Sequence, residues 1–175
     1  MNVLVTVVLL VCLFSPFSLA SDQCRLGLSP VGVDFGSLTR AELFERSGSF
    51  GEGGSFGGRT LHLRIQCAVP RAMTWGFVAT MADAQRYRWS AGTFQIRIIA
   101  ARLDGMAVRL RRAGDDAVEA DLLRPGERLV TWRSGAVVQG GHLEVELRIE
   151  AHVDETMSRV RDLTRHEAQG TFLLD

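Results

Sequence analysis

Lysine is absent from this 175-residue chain. All 20 of its cations are arginine, and 20 aspartates and glutamates balance them to a formal net charge of zero. A chain so balanced carries no basic field with which to hold nucleic acid or an anionic membrane surface by counterion release. The missing lysine reads as the mark of a GC-rich genome rather than of a chemistry. Cysteine is scarce as well, at three residues, and no CxxC pair or neighbouring histidine cluster completes the four ligands of a metal site. Charge is lacking altogether from the first 20 residues, where positions 3–20 (VLVTVVLLVCLFSPFSLA) are almost wholly apolar.

That apolar run ends in Ser18-Leu19-Ala20, with small side chains at the last and third-last positions, so it reads as a secretory signal peptide cleaved before Ser21. The alternative is a membrane anchor, since 18 apolar residues just reach across a bilayer. Pro16 and the small-residue site favour cleavage, and the mature form is then expected to have no membrane segment. Residues 21–175, about 155 in all, suit a single domain with a real core. Cleavage also removes Cys12 and leaves Cys24 and Cys67, which in an exported chain are most simply one disulfide; the alternative is two free buried thiols.

Period-two alternation dominates the rest. Leu61, Leu63, Ile65 and Cys67 alternate with His62, Arg64 and Gln66, and Leu143, Val145, Leu147 and Ile149 alternate with Glu144, Glu146, Arg148 and Glu150. Each pattern predicts a strand with one face on a core and one in water. Phe94–Ile98 leads through Asp104-Gly105 to Val108–Leu110, a hairpin signal. Gly140-Gly141 is expected to turn the strand 136–139 into the one that follows. Residues 31–35, 74–80, 128–132 and 170–174 complete seven or eight expected strands, which favours an antiparallel β-sandwich. Residues 154–166 are expected to form a short helix or an irregular connection. The stretch 47–58 (SGSFGEGGSFGG) is too rich in glycine for regular structure and reads as a mobile connection.

No catalytic constellation emerges. Gly53-Gly54-Ser55-Phe56-Gly57 matches GxSxG, but a nucleophile elbow needs a turn from a buried strand into a helix, and here an alternating strand follows. His62 and His142 fall in the polar register of their strands. His152 with Asp154, and His166 with Glu167, have no third and fourth ligand. Asp115-Asp116 follows Gly114 as turn residues do. The chain therefore reads as non-enzymatic, with no cofactor and no metal. Trp75, Trp89, Trp132 and Tyr87 read first as core or rim aromatics; the alternative is a carbohydrate- or ligand-contacting subset, with Trp75 and Trp132 as its candidates.

Cys24, then Val33-Asp34-Phe35-Gly36-Ser37-Leu38, then Arg59–Cys67 resemble the fimbrial subunits of the bacterial chaperone-usher system. Those pilins place a cysteine before a hydrophobic-Gly-x-hydrophobic segment and close the next core strand with a second cysteine. Gly170-Thr171-Phe172-Leu173-Leu174-Asp175 resembles their final strand, although Leu174 stands where the family often has tyrosine. Cys67–Met73, Leu103-Asp104-Gly105 and Leu123–Gly126 are similar to a proteobacterial group of fimbrial-like proteins whose function is not known. The resemblance implies an immunoglobulin-like antiparallel β-sandwich that lacks its last strand and has a groove to be filled from outside. A periplasmic chaperone would fill it first and grip the terminal carboxylate, here that of Asp175. After handover at the outer-membrane usher, a neighbouring pilus subunit's strand would replace the chaperone's, against Phe172 and Leu174.

The implied protein is a structural or adhesive subunit that passes through the periplasm to a surface fimbrium. With cleavage before Ser21, only three residues precede Cys24, too few to donate a strand, so the implied place is the fibre tip. The alternative is a self-complete periplasmic β-sandwich that binds carbohydrate or a small ligand through its aromatics.

Overall fold

The computed structural model of the protein describes residues 24–45, 53–159 and 165–175. The expected signal peptide, residues 47–52 of the glycine-rich stretch and residues 160–164 lie outside them. In chain order the elements begin with β1 (Cys24–Ser29), α1 (Arg40–Glu45), β2 (Gly54–Arg71), β3 (Thr74–Val78), β4 (Tyr87–Trp89) and β5 (Gly92–Leu103). There follow β6 (Met106–Ala107), β7 (Arg109–Arg112), β8 (Asp115–Glu119), β9 (Leu122–Leu123) and β10 (Arg128–Arg133). The last are β11 (Ala136–Val137), β12 (Gly140–Val153), a 3-10 turn (Thr156–Ser158) and β13 (Thr171–Leu174).

The strands form two antiparallel sheets. One runs β1-β2-β12-β5-β4, with β6 and β9 also on β5, and the other runs β13-β3-β10-β7-β8, with β11 on β10. The two clearest alternations in the sequence make its centre: Leu61, Leu63 and Ile65 of β2 pair in register with Leu147, Val145 and Leu143 of β12. All six are buried. Trp75, Phe77, Leu110 and Leu129 meet them from the second sheet to form one core. This is an all-β sandwich held by the disulfide Cys24–Cys67, as the alternation and the cysteine pair predict.

Three expectations fail locally, each for a physical reason. Residues 31–35 form no strand, because Asp34 Oδ1 accepts the Gly36 N–H at 2.7 Å and Gly36 takes φ +75°, which turns the chain away from extended geometry. Gly140-Gly141 is not a hairpin turn. Both lie within β12, and β11 instead folds back on β10 through Ser134 and Gly135, each at positive φ. The second half of the glycine-rich stretch is strand: β2 starts at Gly54 and absorbs its irregularity in a bulge, where Gly57 at φ +76° pairs with Ala151 and Ser55 with His152.

Asp104-Gly105 does form a tight turn, with φ of 50° and 79°, both positive, but the strand it returns is Met106–Ala107, while Leu110 of the expected partner passes into the other sheet. The strand it closes is longer than its alternation suggests. A register shift beside Glu146 and Leu147 lets Ile96 and, further on, Ala101 and Leu103 all face the core. α1 was not expected. Thr39 and Glu42 cap it reciprocally, with the Thr39 N–H donating to Glu42 Oε2 at 2.7 Å and the Glu42 N–H donating to Thr39 Oγ1 at 3.3 Å. Its Leu43 joins Ala91 and Val153 in a small second cluster at one end of the sandwich.

Candidate functional site

Two short crossovers align the sheets. β2 passes into β3 through Ala72 and the buried Met73, and β5 passes through β6 into β7. β2 therefore lies over β3 at one side of the sandwich, and β5 over β7 at the other. Outside β5 the sandwich is closed: Ala120, Leu122 and Leu123 are buried, β9 pairs with β5, and the Tyr87 hydroxyl donates to the Leu123 carbonyl at 3.2 Å. Burial, with the Glu127 charge added, pushes the Tyr87 phenol far up, so it stays a neutral donor. On the opposite side, β1 is the edge of one sheet and β13 the edge of the other, and no described strand bridges them.

Along this open side the apolar side chains are only half covered. Cys24, Leu26 and Leu28 of β1, and Phe172 and Leu174 of β13, all pack against the core without being buried in it. The disulfide ties β1 to β2 at the Cys24–Cys67 pair in register. β13 is held by its ladder to β3, by the Phe172 ring at 4.8 Å from Phe77, and by the Asp175 N–H donating to the Thr74 carbonyl at 2.8 Å. Asp175 Oδ2 also accepts from Arg128 Nε at 3.2 Å. Phe172, Leu174 and Asp175, named from the sequence, are thus brought together on one edge.

The other candidates fall elsewhere. Trp75 is 0% exposed and lies inside the core, so only Trp132 of the two tryptophans reaches solvent. Ser55 is 4% exposed within β2, and its Oγ accepts the Gly57 N–H at 3.0 Å, so the GxSxG match is a strand with a bulge and not a turn into a helix. His152 is half-buried. Burial holds its imidazole below the usual histidine range; Glu150 opposes this and Arg86 adds to it.

Three residues of the open side were missed from the sequence. Leu26 and Leu28 alternate with Arg25, Gly27 and Ser29, but the six-residue strand is short and Gly27 interrupts it. Arg128, which meets Asp175, gives no local signal, since the two are 47 residues apart.

No family model matches the chain, and no curated protein matches it in sequence. Among solved structures the chain is matched to the crystal structure of the P pilus rod subunit PapA, at 12% identity and a TM-score of 0.43, over 87% of this chain and 97% of that one.

Proposed function

We propose that the protein is a non-enzymatic, exported subunit of a surface fibre that is completed by a strand from outside, laid along the open side between β1 and β13. The half-covered Leu26, Leu28, Phe172 and Leu174 carry this reading. An extended segment there would satisfy edge backbone groups that otherwise face water, and would cover the remaining apolar surface at about 25 cal/mol per Å². In the chaperone-usher system that the sequence resembles, a periplasmic chaperone takes this edge first, and a neighbouring subunit takes it after passage through the usher. The exposed Asp175 at the end of β13 is where basic residues of such a chaperone would bind.

The test is complementation. The chain would be mixed with a synthetic peptide of about a dozen residues with alternating Val and Ile, as strand addition requires. Amide exchange should slow along β1 and β13, and the melting temperature should rise. Unchanged exchange at both edges, in a chain that already melts cooperatively at high temperature, would show a self-complete sandwich instead.

A further inference from the structure

On the outer face of the second sheet, β7 and β10 enclose a shallow cavity of about 340 Å³ beside Trp132. The guanidinium carbon of Arg111 lies over the Trp132 ring, 4.5 Å from its centroid. Arg109 and Arg133 stand at the rim. Three guanidiniums thus converge on one hollow of a chain with no net charge. Glu119 of β8, opposite Arg111 in the β7–β8 ladder, pairs with Arg109 at 3.3 Å. Arg133 donates to the thioether of Met106, a weak acceptor, at 3.0 Å. Arg111 Nε is shielded from solvent and has no hydrogen-bond partner among the described residues. A shielded charged donor without an acceptor is costly.

We propose that this cavity binds the carboxylate of an acidic saccharide. The cation–π contact with Trp132 holds the Arg111 guanidinium at the hollow, and its planar fork matches a carboxylate by two parallel hydrogen bonds. The rim arginines add charge. Ser134 offers a hydroxyl, and the positive φ of Ser134 and Gly135 keeps the hairpin that borders the cavity tight. A hollow this open and mixed in polarity suits a hydroxyl-rich ring with one charge rather than an apolar molecule. The site lies on the face of the sheet, away from the β1–β13 edge, and does not depend on strand completion.

Sodium polygalacturonate is the probe, its methyl-esterified form is the control with the same rings and no charge, and calorimetry is the measurement. The chain should bind the acid, bind more weakly as salt rises, and ignore the ester. Arg111→Gln should weaken binding by roughly tenfold or more, since a hydrogen bond to a charged group is lost. Arg111→Lys should weaken it nearly as much, because the charge remains but the fork does not. Arg64→Gln, on the other sheet, should bind as the unaltered chain does. Arg133→Gln replaces Arg111→Gln if the latter does not fold. No binding of the acid, equal binding of acid and ester, or full affinity in folded Arg111→Gln and Arg133→Gln would each overturn the proposal.

Discussion

Phe172 stands directly opposite Phe77 in the β13–β3 ladder, with the ring centroids 4.8 Å apart, and Phe77 in turn meets Tyr87 of the other sheet at 5.2 Å. The last strand is therefore fastened to the centre of the sandwich by a chain of rings while no described strand pairs with its outer edge. Phe172→Ala removes the outermost ring. Because Phe172 is only half-buried, the expected loss is about 2 kcal/mol, at or below the low end for a phenylalanine in a core. Urea denaturation measures it, and a loss under about 0.5 kcal/mol, the range of ordinary surface substitutions, would show that β13 contributes nothing to the fold.

Gly170, just before β13, has no room for a side chain. A Cβ there would overlap the Phe77 ring. Gly170→Ala must push that ring or the start of β13 aside, and the expected destabilisation is about 1–3 kcal/mol, as for other overpacked sites. Gly27→Ala in β1 is the comparison, since nothing lies within 4 Å of a Cβ built there. Its melting temperature should stay near that of the parent, while that of Gly170→Ala falls. Equal melting temperatures in both variants would mean that Phe77 yields freely.

What the sequence shows and hides follows from the range of the forces involved. Strands buried on one face write their position locally, which is why residues 61–67 and 143–150 are legible at once. The bulge at Gly57 and the register shift near Leu147 invert the alternation without any local mark, so β2 and β5 run well past their clear portions. The helix α1 did carry a signal, Thr39-x-x-Glu42, that a search for capping boxes finds. At the open edge, Phe172 and Leu174 are visible through the resemblance of the last strand to pilins. Arg128 is not, because its partner Asp175 is set by sheet pairing over a long stretch of chain. The Arg111–Trp132 contact is hidden for the same reason, as it joins two neighbouring strands far apart in sequence.

Reduction of the Cys24–Cys67 bond frees the edge strand β1 to detach from β2. The bond spans a sequence separation of 43, and closing a loop of that size stabilises the fold by about 4 kcal/mol in the chain-entropy model. A Cys24→Ser, Cys67→Ser chain should therefore unfold at markedly lower urea, with amides of β1 exchanging first. A double variant as stable as the parent would show that the ladder between β1 and β2 suffices alone.

Cleavage before Ser21 predicts an intact mass for the exported chain that begins at that residue and is two hydrogens lighter than the reduced form. A mass that retains residues 1–20 would instead support the membrane anchor.

His152 gives the fold a dependence on pH. Burial disfavours the charged imidazole in the folded chain and depresses its pKa below the ordinary 6.5, while the unfolded chain takes up the proton near that value. Between those two values the unfolded state binds more protons, so stability is full above pH 6.5 and falls as pH drops toward the folded pKa. Asp83, held below its usual 3.8 chiefly by the Gln85 backbone N–H, with Arg86 assisting, loses its contribution only as pH falls below that value. The window from pH 7.5 to 5 lies above the titration of Asp83 and of Glu155, whose carboxyl Arg159 holds below its usual 4.5. The urea midpoint should decline across it in the unaltered chain, and His152→Gln, which leaves the Trp89 bond to the His152 backbone carbonyl in place, should flatten the decline. The same slope in both chains would place the proton uptake on another group.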